Sequence, residues 1–250
     1  MSTSTFSLPT IGGTTQTYLW EWAGKKLSIV YETLGKGSSV LLLPAFSTVS
    51  TRTEMRRLAE LLAPQFQVVA VDWPGFGQSS RPPLDYHSSL FQQFLAEFVK
   101  NVFNTPPAVV AAGHAAGYAM QLAQSAVWSQ IVLVAPTWRG PLVAMTGKQQ
   151  GWFGNVRQLV RSPILGQALY KLNTTPSFLR WMYQRHVYTN SAKLTPEFIQ
   201  QKWQITQQPG ARFAPVAFVT GALDPVQQQA DFQRWFQSPW RLPRRSRSRP

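Results

Sequence analysis

Gly113-His114-Ala115-Ala116-Gly117 follows an apolar run at 108–112 and opens a helical pattern, so the chain must pass from strand to helix within five residues. Such a turn needs a residue that tolerates positive φ, and a glycine on each side permits it. In an enzyme this frame holds Ser, Cys or Asp at its centre, exposed at the start of the helix as a nucleophile. Here the centre is Ala115, whose methyl group cannot attack a carbonyl, a phosphorus or a carbon–halogen bond.

Working outward, residues 16–22 and 26–33 are β-rich and separated by a short turn containing Gly24, which predicts an antiparallel hairpin. Apolar strand-sized runs at 39–43, 67–71, 108–112 and 131–135 alternate with helical patterns at 53–63, 88–102 and 117–127. Strand and helix in this order, with strands apolar on both faces, predict an α/β fold: a mostly parallel sheet with helices on both sides. Residues 1–136 are expected to form the first part of this core. The alternation breaks at 137–210, where Gly and Pro punctuate helical segments rich in Trp, Tyr and Phe, and this stretch is expected to be a helical cap insertion. The sheet is expected to resume at 213–219, within a second core part at 211–238 that ends in a helix carrying Phe232, Trp235 and Phe236.

Several motifs in order give this chain a resemblance to the α/β-hydrolase superfamily over residues 16–236. Leu41-Leu42-Leu43-Pro44-Ala45-Phe46 stands where that superfamily has a strand followed by His-Gly and the oxyanion-hole loop. Asp72-Trp73-Pro74-Gly75-Phe76-Gly77-Gln78-Ser79 is similar to its Asp-x-x-Gly-x-Gly-x-Ser segment, the strand-to-helix turn at 113–117 is similar to its nucleophile elbow, and Gly221-Ala222-Leu223-Asp224 is similar to the turn that carries the triad acid. The combination also resembles a cyanobacterial and plastid subgroup. The resemblance implies an α/β-hydrolase fold with Ala115 at the nucleophile position and Asp224 at the acid position. It further implies a pocket between cap and sheet involving Phe46, Ser47, Ala116, Trp138 and Arg139, with Tyr86 and the cap aromatics as candidate lining. Three departures stand out. The nucleophile is replaced by Ala115, Pro44-Ala45 replaces His-Gly, and His87, His114 and His186 all precede Asp224, whereas the triad order places its imidazole after the acid. His114 then reads as a packing or hydrogen-bonding residue, Asp224 as a turn residue ahead of Pro225, Asp72 as a holder of loop amides and Ser47 as a loop cap.

Composition bounds the rest. The 250 residues are 44% hydrophobic, enough to bury a sizeable core, and contain no cysteine, which excludes disulfides, thiolate metal sites and cysteine nucleophiles. No phosphate loop, dinucleotide turn or metal-spaced His/Asp/Glu cluster occurs, so no cofactor and no metal are expected. Apolar runs are too short to span a bilayer, and no secretory leader is read at the start, so a soluble, cytoplasmic protein is expected. The net charge is +14, but Arg241, Arg244, Arg245, Arg247 and Arg249 crowd the last ten residues, while only Arg52, Arg56 and Arg57 group elsewhere. Nucleic acid is therefore a disfavoured partner. Residues 239–250, with five arginines and three prolines, cannot form a buried strand. They are expected to be a basic tail, or the product of a frame change near Ser238, and in either case the superfamily's final strand is expected to be missing.

Two functions fit these residues. The first is a non-catalytic binder of a small apolar or aromatic molecule, or of a protein partner. The alternative is a hydrolase or lyase that acts on an ester-like or apolar small substrate by a non-serine mechanism.

Overall fold

The computed structural model describes residues 10–125, 127–186 and 191–237. Strand β1 (Thr14–Trp22) turns through Ala23 and Gly24 into β2 (Lys25–Leu34), and β3 (Ser38–Leu43) follows. A 3₁₀ turn at Arg52–Met55 runs into α1 (Arg56–Leu62), then β4 (Phe66–Val71), α2 (Ser88–Val102), β5 (Ala108–Ala112), α3 (Ala115–Leu122) and β6 (Gln130–Val134). These strands form one sheet in the order β1-β2-β4-β3-β5-β6, with β1, β2 and β4 paired antiparallel and the remaining pairs parallel.

The pleat sends successive side chains to opposite faces, and the two faces build two cores. Leu41, Leu43, Val69, Val71 and Val109 face α2 and α3, where Phe91, Phe94, Phe98 and Tyr118 meet them together with Trp20 and Trp73. Helix α2 supplies this surface because Leu90, Phe91, Phe94, Leu95, Phe98 and Val99 recur at helical spacing and all are buried. Each buried phenylalanine contributes about 1.5–3 kcal/mol of transfer free energy. On the other face Val40, Leu42, Val68, Ala70 and Val110 pack against Met55 and Ala59.

After β6 the chain is helical: α4 (Pro141–Thr146), α5 (Phe153–Arg161), α6 (Leu165–Leu172), α7 (Pro176–His186), α8 (Pro196–Thr206), α9 (Phe213–Val219) and α10 (Gln229–Gln237). Leu179, Tyr183, Leu194 and Ile199 close a third apolar cluster over Val49, which fastens the α7/α8 part of this region to the loop after β3.

Three expectations are corrected. Residues 213–219 form helix α9, not a resumed strand. The Val and Phe residues favour a strand locally, but tertiary packing overrides that preference. Phe218 stacks against Phe46 and meets His114 edge-on, Ala214 and Ala217 are buried in the main core, and Pro215 falls in the first turn, where a missing N–H is tolerated. The sheet is also less completely covered than continuous apolar strands imply. Val132 and Val134 of β6 are 50% and 48% exposed and, among the described residues, do not join the apolar cluster that packs on β3 and β4. The predicted helix at 117–127 starts earlier, at Ala115, and tightens into a 3₁₀ turn at Ala123–Ser125. The tail at 239–250 and the position of the proposed frame change lie outside the described residues.

Candidate functional site

Gly113 takes φ +53° and makes the sharp bend, while His114 and Ala115 already belong to right-handed helical backbone. The bend is anchored on β6, since Gly113 N–H donates to Val134 O at 2.8 Å and Thr137 N–H donates to Gly113 O at 3.1 Å. Gly117 serves packing: a Cβ there would run into the ring of Pro225, so its absence lets α3 approach the 221–225 turn closely. Ala115 and Ala116 are fully buried.

His114 is also buried, and its Nε2 lies 2.8 Å from Leu223 O and 3.4 Å from Asp224 Oδ1. A carbonyl only accepts, so Nε2 carries the proton. The second ring nitrogen, Nδ1, is then an acceptor, buried without a hydrogen-bond partner among the described residues. Leu223 O accepts a second bond, from Tyr118 Oη at 2.5 Å. Burial pushes the imidazole down to about 4, against the opposing bond to Leu223, so the ring is neutral near pH 7. Asp224 shows the complementary effect. Its Oδ1 accepts the Gly140 N–H at 2.7 Å, yet burial raises its pKa to about 7, with Gly140 and the Arg139 charge opposing that rise. His114 and Asp224 thus form a buried contact pair committed to backbone partners.

The other expected pocket residues divide among separate places. Phe46 is a core side chain, stacked on Trp73 at 5.0 Å between ring centroids and edge-on to Phe76, Phe91 and His114. Trp138 stacks on Phe232, and Arg139 lies over the Trp138 ring while donating to Gly147 O. Tyr86 is buried and donates to Pro82 O. Asp72 accepts the Arg52 and Gln78 backbone N–H groups and pairs with the Arg52 guanidinium, which also holds Glu32. Of the Arg52, Arg56 and Arg57 group, therefore, only the last two reach the surface.

Ser47 lies elsewhere again. Its hydroxyl accepts the Val49 N–H at 3.3 Å, and it lines a cavity of about 750 Å³ between the loop after β3, α1, and helices α7 and α8. Val49, Met182, Tyr183, Phe198 and Ile205 give this cavity an apolar wall, and Glu54, Arg56, Arg57, Glu60 and Lys202 give it charge. Ala115, His114 and Asp224 take no part in its lining. Lys202, nearly buried, reaches Glu54 at 2.8 Å and so ties α8 to the 3₁₀ turn before α1. Sequence reading singled out Ser47 and the Arg56–Arg57 pair but not Lys202, because the Glu54–Lys202 contact joins residues 148 positions apart. Among the described residues, no group of three or more His, Asp or Glu side chains is placed to hold a metal ion, and no helix is long and apolar enough to cross a membrane.

Known structures share this architecture. Cfl2 from Burkholderia cenocepacia aligns at 20% identity and TM-score 0.66, covering 93% of this chain and 78% of its own. The haloalkane dehalogenase DatA from Agrobacterium tumefaciens C58 aligns at 18% identity and TM-score 0.62, covering 91% and 74%. The epoxide hydrolase CorEH aligns at 17% identity and TM-score 0.61, covering 84% and 74%. At these identities the likeness is one of fold. No curated protein matches the sequence. The model of the alpha/beta hydrolase family matches residues 40–246, a span that includes the parallel strands β3 to β6, the bend at Gly113 and the Asp224 turn, and the chain belongs to that family.

Proposed function

We propose that this chain is a non-catalytic binder of an apolar small molecule, which it holds in the cavity between the loop after β3, α1, α7 and α8. The observation that carries this reading is Ala115, a fully buried methyl at the centre of the strand-to-helix turn. Neither ester nor carbon–halogen chemistry can begin from a methyl group, so the haloalkane dehalogenase and epoxide hydrolase names of the structural neighbours lend the chain no activity. His87, His114 and His186 all precede Asp224, out of the triad order. Phe218 and Phe46 pack on His114, which leaves the imidazole and the Asp224 carboxyl in a filled region. The cavity of about 750 Å³ lies within the range of small-molecule sites, roughly 300–1,000 Å³.

One observation favours the alternative, a hydrolase or lyase acting by a non-serine mechanism: Asp224 titrates at about 7, where a general acid or base works. Ester turnover separates the two readings. With p-nitrophenyl butyrate the protein is expected to match the buffer rate, and Ala115→Ser is expected to do the same, because a new hydroxyl there has no free imidazole to activate it. Turnover above buffer that falls on Asp224→Asn would establish the enzyme reading and end the binding one.

A further inference from the structure

The cavity is graded from one end to the other. At its closed end Val49, Tyr183 and Ile205 are 1%, 6% and 4% exposed, and at its open end the Arg57 side chain is 83% exposed. An apolar body and a polar head are therefore accommodated at opposite ends. The charges at the open end decide the sign of that head. Glu54 is held by Lys202 at 2.8 Å deeper in the cavity, where the nearly buried Lys202 also bonds Tyr183, and toward the mouth Glu60 is held by Arg56 Nε at 2.9 Å, which keeps the Glu60 carboxyl below its ordinary range. The same Glu60 reaches Arg57 only at 3.5 Å. Three cations thus face two carboxylates in the lining, and Arg57 has the weakest claim on either of them.

We propose that the cavity binds an amphiphile with a single negative charge, a long-chain or aryl-alkyl carboxylate, with its tail against Val49, Met182, Tyr183 and Ile205 and its head on Arg57. One surplus positive charge suits a monoanion better than a dianion, and the planar guanidinium fork matches a carboxylate in two parallel hydrogen bonds. The net charge of +14 adds long-range attraction for any anion. This assignment rests on the binding reading above, and it names the ligand's chemical class.

The test is calorimetric titration of the full chain with dodecanoate and dodecan-1-ol, both below their aggregation limits. Dodecanoate is expected to bind one to one and about tenfold or more tighter than the alcohol, with the advantage lost in Arg57→Gln and reduced by added salt. Met182→Trp, which fills the cavity, is expected to abolish binding of both while circular dichroism stays unchanged. Equal affinity for the two probes would overturn the carboxylate assignment and leave the binding reading standing. Binding of neither would overturn both. Dodecanoate affinity unchanged in Met182→Trp would place the ligand elsewhere and overturn this site.

Discussion

At the scale of single residues, Leu223 O and the Gly140 N–H govern the behaviour of His114 and Asp224 by engaging the groups with which they could otherwise do chemistry. The two side chains lie 3.4 Å apart and titrate in opposite senses from their unfolded values, His114 falling from 6.5 to about 4 and Asp224 rising from 3.8 to about 7. The imidazole binds its proton less tightly when folded, so its stabilising contribution is present above pH 6.5 and is lost as pH falls through about 4. The carboxyl binds its proton more tightly when folded, so its contribution is present below 3.8 and is lost as pH rises through about 7. In the wild type the two slopes oppose each other over most of the range between. Single variants expose them. Asp224→Asn is expected to gain stability with rising pH between about 4 and 6.5, and His114→Gln to lose it between about 4 and 7, each by up to about 1.4 kcal/mol per pH unit. Urea midpoints measured across that range check both signs. Parallel profiles in the two variants would show that the groups are not buried as a pair.

Between elements, Arg52 joins the 3₁₀ turn before α1 to β2 through Glu32 and to the end of β4 through Asp72, with all three side chains buried. Arg52→Met fills much of the same volume but strands two buried carboxylates, so it is expected to cost about 3–5 kcal/mol, read as a lowered urea midpoint at unchanged m-value. A drop below about 1 kcal/mol would mean that Asp72 and Glu32 find other partners or take up protons. This network also marks where sequence reading reaches its limit. Asp72 was legible as a holder of loop amides because its motif fixes a local turn, whereas the burial of Arg52 was not legible, because its partners lie 20 residues away on either side. Strand and helix order was legible through β6, where every element declares itself by its own period. Residues 213–219 were not, since a short apolar run with Val and Phe satisfies both periods, and it is the contacts with Phe46 and His114 and the burial of Ala214 and Ala217 that select the helix. The contacts of the expected pocket residues were illegible for a related reason: Phe46, Trp138 and Arg139 sit close to the right motifs, but their ring partners Trp73 and Phe232 and the Gly147 carbonyl are set by the fold and not by local pattern.

For the molecule as a whole, α9 packs on Phe46 and His114 through Phe218 and adds no strand to the sheet, so β6 is the outer strand among the described residues. An edge strand presents unpaired N–H and C=O groups, and natural sheets blunt such edges with charge, proline or a covering element. Here Gln130, Ile131, Val132, Leu133 and Val134 carry no charge, and Val132 and Val134 are half-exposed. The net charge of +14 opposes approach of two copies, but that repulsion acts over roughly a Debye length, about 8 Å at physiological ionic strength and about 3 Å at 1 M. Self-association through β6 is therefore expected to grow with added salt, the opposite of its effect on carboxylate binding. Val132→Lys puts a charge on this half-exposed face without touching the main cores, so it is expected to suppress salt-dependent light scattering while leaving the unfolding free energy from urea titration within about 0.5 kcal/mol of wild type. If scattering persists unchanged in Val132→Lys, the association surface lies away from β6, and the exposed apolar residues of the helical region, such as Met145, Ile164 and Leu172, become the next positions to charge.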